Sequence, residues 1–538
     1  MSVFTLETRA DNPVTLKDVD EICTGLGVSI QDDEKESYRT LLAVYHESME
    51  SLMAIPDYYP PVDLERFPRE NVHFPAPEDN PLGAWAWKCT VKDKRPTPSG
   101  LLEGKTVVLK DCIALAGVPF LLGTEMIKDY VPKMDATLVT RMLEAGCTIT
   151  GRAVCENMCH SATSHSAGTG VVHNPYAKGY SSGGSSSGCG ALVASGAVDM
   201  GVGADQGGSI RVPAGWCGLF GLKPTFGLIP FTGCASNEPT NDHVGPMTRT
   251  LLDNALLLQA IAGTDGIDDR SLGSPVPSAV PAYYHNLLAI SNPTDLTGVK
   301  IGIITESLDM PGMDPRVLAT FLASAEKFKA LGATVEQVSI PMHKHGASIW
   351  TGISKAGGAA SKMGMAFGRR GHILNDLHSQ LVPLTQESWD KAYPSTKNIY
   401  INGIYARSHF PCLLGHATNL SLKLRLDYDA ALRTYTVLLA PNLPYIANSH
   451  VAIPFAASSA TNPAAPLDLI GKQVGLTSNT APFNQSGHPV LAMPCGMLDI
   501  EEGPLKGSGV KLPVSLQVVG RWWGGGRRIS SSLCVEFG

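Results

Sequence analysis

The chain carries little charge for its size. Charged residues make up 17% of 538 positions and the formal net charge is −7. That balance offers no basic surface for a nucleic-acid backbone or an anionic membrane, so neither is expected as a partner. No apolar run reaches the ~18 uninterrupted residues that span a bilayer, so no membrane anchor is expected either. The opening residues, Met1 to Arg9, mix Glu7 and Arg9 into the stretch and contain no apolar core, unlike a secretory signal. The two-residue cysteine spacers of common zinc sites are missing as well. The 12 cysteines are scattered, and Cys112, Cys147, Cys189 and Cys217 sit in apolar surroundings. This pattern fits reduced, buried thiols in a cytoplasmic protein. Cys155, Cys159, His160, His165 and His173 cluster in sequence without ligand spacing, so they are expected to be structural, with no metal bound.

What is present falls into an N-terminal part and a longer α/β part. Residues 1–96 read as a helical extension. One helix is expected from Pro13 to Gly25 behind an Asn12 cap. A second, Asp32 to Met53, would turn Tyr38, Leu41, Leu42, Tyr45, Met49 and Leu52 to one face. Prolines interleaved with aromatics from Pro56 to Pro98 suggest an ordered wrap. The extension is expected to pack on the catalytic domain or on a second subunit, which makes a homodimer a candidate assembly. From Thr106 onward strands alternate with helices, and residues 97–538 read as one catalytic domain. The fold class expected is α/β: a large mixed, mostly parallel sheet covered by helices on both faces. Asp314-Pro315 should cap a helix whose stripe is Val317, Phe321, Ala325, Phe328 and Leu331, ended by Gly332. Residues 343–436 lose the strand pattern. After Gly520, Arg521-Trp-Trp-Gly-Gly-Gly has no helical periodicity, and a poorly packed tail is expected.

The centre of the chain is a pair of Gly/Ser loops. Tyr180-Ser-Ser-Gly-Gly-Ser-Ser-Ser-Gly-Cys-Gly190 leads into a small-residue helix from about Ser187 to Gly196. A buried strand from Met200 to Gly203 follows, and then Asp205-Gln-Gly-Gly-Ser-Ile-Arg211. The first run could be a flexible linker, but an apolar helix and strand follow it at once. It also matches the G-x-S-x-G elbow of other hydrolases twice, although the segment before it reads as a turn and not as the strand an elbow requires. Both loops should instead end on one side of a helix–strand unit, presenting hydroxyls beside free backbone N–H groups.

From Gly179 to Phe226 the sequence resembles the amidase signature family. Ser209 stands 24 positions after Ser185, as the nucleophile of that family does after the first serine of its GGSS run, and Pro213-Ala-Gly-Trp-Cys-Gly-Leu-Phe-Gly-Leu-Lys-Pro-Thr225 matches its continuation. Thr106-Val-Val-Leu-Lys110 looks like the strand whose terminal lysine completes the triad. The resemblance extends from about Leu101 to Gly520. It implies Ser209 as nucleophile, Ser185 as a bridge preceded by a cis peptide bond, and Lys110 as the base. It also implies that residues 343–436 shape the substrate pocket.

An amide is a poor electrophile, so its hydrolysis needs an activated nucleophile, an oxyanion site and a proton for the leaving nitrogen. Backbone N–H groups of Gln206, Gly207, Gly208 and Ser209 are the expected oxyanion donors. Lys110 can serve as a base only if burial lowers its pKa. Asp205 and Arg211 are expected to pair structurally. The reading is an amidase that cleaves a small carboxamide to an acid plus ammonia or an amine through an acyl-serine. It needs no cofactor, and it resembles a bacterial-type subgroup acting on aliphatic and aromatic amides. Two alternatives remain: the glutaminase subunit of an amidotransferase, and a catalytically dead binding homologue.

Overall fold

The computed structural model describes residues 5–95, 100–365, 369–450 and 466–523. The chain divides into two compact units, Met1–Pro61 and Val62–Gly538. The first is a pair of helices, Leu16–Leu26 and Lys35–Met53. The first helix starts later than its Asn12-Pro13 signal because Thr15 and Asp18 form a capping box. In the second, the buried residues are Ala43 and Val44, while Tyr38, Tyr45 and Leu52 of the expected apolar face are exposed.

The second unit is built on a sheet of 12 strands. In chain order the strands are β1 (Arg69–His73), β2 (Trp85–Val91), β3 (Thr106–Lys110), β4 (Thr148–Ala153), β5 (His173–Asn174), β6 (Ala177–Ser181) and β7 (Met200–Asp205). They continue with β8 (Phe220–Lys223), β9 (His243–Thr248), β10 (Lys300–Ile304), β11 (Thr334–Val338), β12 (Val437–Pro441), β13 (Val490–Asp499) and β14 (Lys511–Val519). Their order across the sheet is β1-β2-β4-β3-β7-β9-β8-β13-β14-β12-β10-β11, and β5 and β6 form a separate ribbon.

The sheet is mixed, as expected, but its parallel pairing is confined to β4-β3-β7 and β12-β10-β11. The other neighbours are antiparallel, so the expected parallel majority does not hold. Consecutive strands such as β8 and β9, or β13 and β14, return directly on each other, and only an antiparallel pair allows that without a crossover helix. The helical extension is also shorter than expected. Residues 69–91 supply β1 and β2 at one edge of the sheet, and the prolines flanking them had hidden both strands.

Two stretches follow their sequence signals closely. The helix Pro315–Ala330 is capped by Asp314, whose Oδ1 accepts from Arg316 N at 2.8 Å, and it buries Val317, Phe321, Ala325 and Phe328. Among the described residues of 343–434 the regular elements are all helices, led by His343–Lys362, Pro394–His409 and Leu413–Thr434. The end of the described chain is better packed than its glycines suggested. Arg521 Nε donates to Leu432 O at 2.7 Å and Trp522 Nε1 to Ser486 O at 2.8 Å, while the Arg425 guanidinium lies 3.7 Å over the Trp522 ring. The rest of the expected loose tail, 524–538, lies outside the described residues.

Candidate active site

β3 and β7 are parallel neighbours with Leu109 opposite Val202, so their C-terminal ends put Lys110 beside the loop that follows Asp205. β3 is buried along Val107, Val108 and Leu109, which carries Lys110 to a position with no solvent exposure. The helix Ser187–Ala194 lies against β7 at a glycine: a Cβ on Gly201 would stand 3.1 Å from Val193 and 3.4 Å from Cys189. This close approach brings the 181–186 loop over the end of β3. Lys110 Nζ donates to Ser185 Oγ at 2.7 Å and to Ala204 O at 3.2 Å. The Gly184–Ser185 peptide bond is cis. The neighbouring Asp111 does not pair with the lysine. Its carboxylate accepts from Leu121 N at 3.1 Å and from Arg152 Nη1 at 3.5 Å.

The second loop is held from several sides. Asp205 and Arg211 form a fully buried pair, with Nε to Oδ2 at 2.9 Å and Nη2 to Oδ1 at 3.0 Å. Burial opposes the charge on Asp205, but the Arg211 guanidinium overrides it and holds the carboxyl well below its usual range. Asp205 also accepts from Gly208 N at 2.7 Å and Ile210 N at 3.2 Å. Trp350 Nε1 donates to Gln206 O at 2.5 Å, and Thr480 Oγ1 to Gly207 O at 2.6 Å. Because the peptide plane is trans, fixing the Gln206 carbonyl against Trp350 turns Gly207 N–H the opposite way. Neither glycine tolerates a side chain. A Cβ on Gly207 would lie 2.7 Å from the Trp350 indole, and Gly208 has φ +137° with Thr480 Oγ1 2.5 Å from its Cβ position.

Of the four expected oxyanion donors, Gly208 N–H is therefore committed to Asp205. Among the described residues, the N–H groups of Gln206, Gly207 and Ser209 have no such partner. Ser209 lines a cavity of about 200 Å³ together with Gln206, Gly207, Cys159, Trp350 and Lys355. The two loops meet through the backbone, Ser186 N donating to Ser209 O at 3.3 Å. The side chains of Ser185 and Ser209 are not hydrogen-bonded to each other among the described residues. A larger apolar cavity of about 290 Å³, between Leu222, Leu258 and Trp523, contains none of these residues.

The electrostatics correct one expectation. Burial works to deprotonate Lys110, but the Cys159 thiolate beside it outweighs burial and carries the lysine above its ordinary value, while burial keeps Cys112, Cys155 and Cys189 as neutral thiols. Hydrogen bonds from Cys112 and Cys155, against the cost of burial, push Cys159 well below the usual thiol range. A base-competent lysine therefore requires a protonated Cys159.

The cysteines and histidines that cluster between Cys155 and His173 in the sequence divide into two groups in space, Cys155 with Cys159 and His165 with His173. Cys155 Sγ donates to Asp111 O at 3.7 Å, Cys159 reaches the cavity, and His165 and His173 pack around His450. Among the described residues, no group of three or more His, Cys, Asp or Glu is placed to hold a metal. Sequence reasoning missed Trp350, Thr480 and Lys355. An aromatic in the pattern-free 343–436 stretch was the only available hint, and it did not single out Trp350.

A family model described as Amidase matches residues 82–526. An enantioselective amidase of Rhodococcus rhodochrous is 36% identical over 456 residues, covering 83% of this chain and 81% of that protein. A glutamyl-tRNA(Gln) amidotransferase subunit from Synechococcus sp. (strain CC9311) is 31% identical over 428 residues, or 78% of this chain and 80% of that one. The solved native peptide amidase from Stenotrophomonas maltophilia superposes with a TM-score of 0.63 at 24% identity, over 80% of this chain and 82% of that one, a likeness of fold. The protein is a hydrolase acting on amides. The chain belongs to the amidase family.

Proposed function

We propose that this amidase cleaves small carboxamides through an acyl-enzyme on Ser209. Ser209 Oγ attacks the carbonyl carbon while its proton passes through Ser185 to the neutral amine of Lys110. The oxyanion is held by N–H groups of Gln206, Gly207 and Ser209, with Gly208 N–H bracing the loop through Asp205. Collapse breaks the C–N bond, and Lys110 returns the proton through Ser185 to the leaving nitrogen, releasing ammonia or an amine. Water then attacks the Ser209 ester by the same relay and frees the carboxylic acid. The observation that carries this reading is the 2.7 Å bond from buried Lys110 to Ser185 beside the cavity that Ser209 lines. No metal or organic cofactor enters the scheme.

Quenching a reaction with hydroxylamine tests it. A hydroxamate product is expected with hydroxylamine, and a mass increase on Ser209 in a parallel acid quench without it, and the absence of both during active turnover would remove the acyl-enzyme. Substrate choice rests on the helical region 343–436, and the chiral amides suggested by the Rhodococcus relative belong in the first screen. The similarity to amidotransferase subunits keeps glutamine in that screen. Robust turnover of simple amides with little glutaminase activity is expected of the lone chain.

Gly207→Ala should lower kcat by about 10²-fold, the size of losing one oxyanion donor, because its Cβ would meet the Trp350 indole at 2.7 Å. An unchanged kcat at unchanged Tm would remove Gly207 from the oxyanion site.

The proposal places the enzyme in the cytoplasm, a reading supported by free thiols at all cysteines of the described residues. No helix among the described residues is long and apolar enough to cross a membrane. The proposal also includes a homodimer formed through the first unit, where Ile22, Leu26, Tyr38, Tyr45 and Leu52 are exposed. Tyr45→Asp combined with Leu52→Asp should convert the dimer to a monomer in light scattering. A monomeric wild type, or a double variant of unchanged mass, would discard the dimer.

A further inference from the structure

Lys355 stands apart from the other charged groups around the cavity. It lines the same cavity as Ser209 and is only partly exposed. Among the described residues it makes no ion pair and no side-chain hydrogen bond. Its neighbours are otherwise occupied. Lys362, buried on the same helix His343–Lys362, donates to Asn237 Oδ1 at 3.0 Å, and Lys110 donates to Ser185. Glu238 is the carboxyl on the cavity wall. Its Oε2 accepts from Thr240 N at 3.0 Å and Thr240 Oγ1 at 2.5 Å, and burial pushes it up to about 7.

Lys110 and Lys362 act on the Cys159 thiolate, but no such counter-charge acts on Lys355. His160, also on the cavity wall, is held neutral first by burial and then by Lys362, Lys355 and Lys110. Burial alone lowers Lys355, to about 8, with no carboxylate pulling the other way. It is therefore mostly charged at neutral pH. A half-desolvated ammonium without a partner is costly, and an anion entering the cavity would supply that partner. Helix geometry sets the reach. Lys355 follows Trp350, which clamps the oxyanion loop, by five positions, an axial rise of roughly 7.5 Å. The anion would thus sit a short chain away from the scissile carbonyl.

We propose that Lys355 is a specificity residue that binds a carboxylate of the substrate, so that the preferred substrates are amides bearing a carboxylate a few atoms from the scissile bond. This rests on the amidase reading of the same site. The carboxylate can be carried on the acyl side or on the amine side, and two substrate pairs separate these cases. Adipic acid monoamide is compared with hexanamide, and N-hexanoylglycine with N-ethylhexanamide, for wild type, Lys355→Met and Lys355→Arg.

In at least one pair the wild type should favour the carboxylated member. Lys355→Met should lower its kcat/KM by about 30-fold or more, mainly through KM, as expected when one partner of a desolvated charge pair is removed. The neutral member should change by less than about threefold, which also shows that the variant is folded, and Lys355→Arg should recover most of the loss. Equal loss on both members of each pair would overturn the proposal while leaving the amidase reading intact. So would a wild type that favours the neutral member of both pairs, or one that prefers 6-aminohexanamide, which would point to Glu238 instead. If the wild type turns over none of these amides and yields no hydroxamate, the amidase reading fails and takes the proposal with it.

Discussion

Ser209→Ala should abolish amide turnover, with kcat falling by at least about 10³-fold, while Tm stays close to that of the parent. The activity loss follows from the role proposed for Ser209 as nucleophile: without Oγ no acyl-enzyme forms, and the proposed oxyanion donors and the cavity contribute only what remains. The small stability effect follows from position. Ser209 lines a cavity, is partly exposed and is joined to its surroundings through its backbone carbonyl, which accepts from Ser186 N. Truncating such a hydroxyl typically changes stability by about 0.5 kcal/mol or less. The Asp205–Arg211 pair and the clamps from Trp350 and Thr480 hold the loop without it. The check is kcat at saturating amide together with thermal unfolding. More than a few per cent of the parent rate in a homogeneous sample would move the nucleophile elsewhere, and the adjacent candidate would be Ser185.

Much of this site was legible because it is local in sequence. The helix between the loops is Ser187–Ala194 and the strand is Met200–Asp205, close to the spans read from the small-residue run. The buried run Thr106–Lys110 likewise announced a central strand ending on a lysine. The constraints that came from far along the chain could not be read. Trp350 reaches Gln206 across 144 positions and Thr480 reaches Gly207 across 273. No local periodicity marks a residue that clamps another segment's carbonyl. The capture of Gly208 N–H by Asp205 is only three positions apart, but it depends on Arg211 fixing the carboxylate. The edge strand β1 and its neighbour β2 were hidden for a different reason: proline and glycine flanks masked a ladder that is irregular, with a register shift between Glu70 and His73. The packing of Trp522 depended on a carbonyl at the end of the helix Ala481–Ser486, which a reading of Arg521-Trp-Trp-Gly alone does not reveal.

Lys110→Met should cost between about 10² and 10⁴-fold in kcat/KM, the usual range for loss of a general base, with Tm unchanged or lowered. Lys110 is buried without a carboxylate partner, but its raised pKa means the folded protein favours the charged form, and an apolar side chain of similar length gives up that stabilisation together with the bonds to Ser185 Oγ and Ala204 O. The pH profile carries the more specific test. The proposed relay needs the neutral amine, and Lys110 in the folded protein lies above its ordinary value, with burial opposed first by the Cys159 thiolate. A base with a raised pKa is protonated through the neutral range, so kcat/KM should climb with pH and fall away as pH drops. Cys159→Ala removes the sulfur that contributes most to holding the proton. With burial less opposed, the lysine releases its proton more readily. The rising limb of kcat/KM should then move toward lower pH by more than about one unit, the scale of removing one nearby opposite charge. Cys159 lines the cavity, so the height of the profile is free to change with substrate fit. The position of the limb is the diagnostic. A limb that stays in place, or moves to higher pH, would show that Cys159 remains a neutral thiol beside Lys110 and that burial alone sets the base.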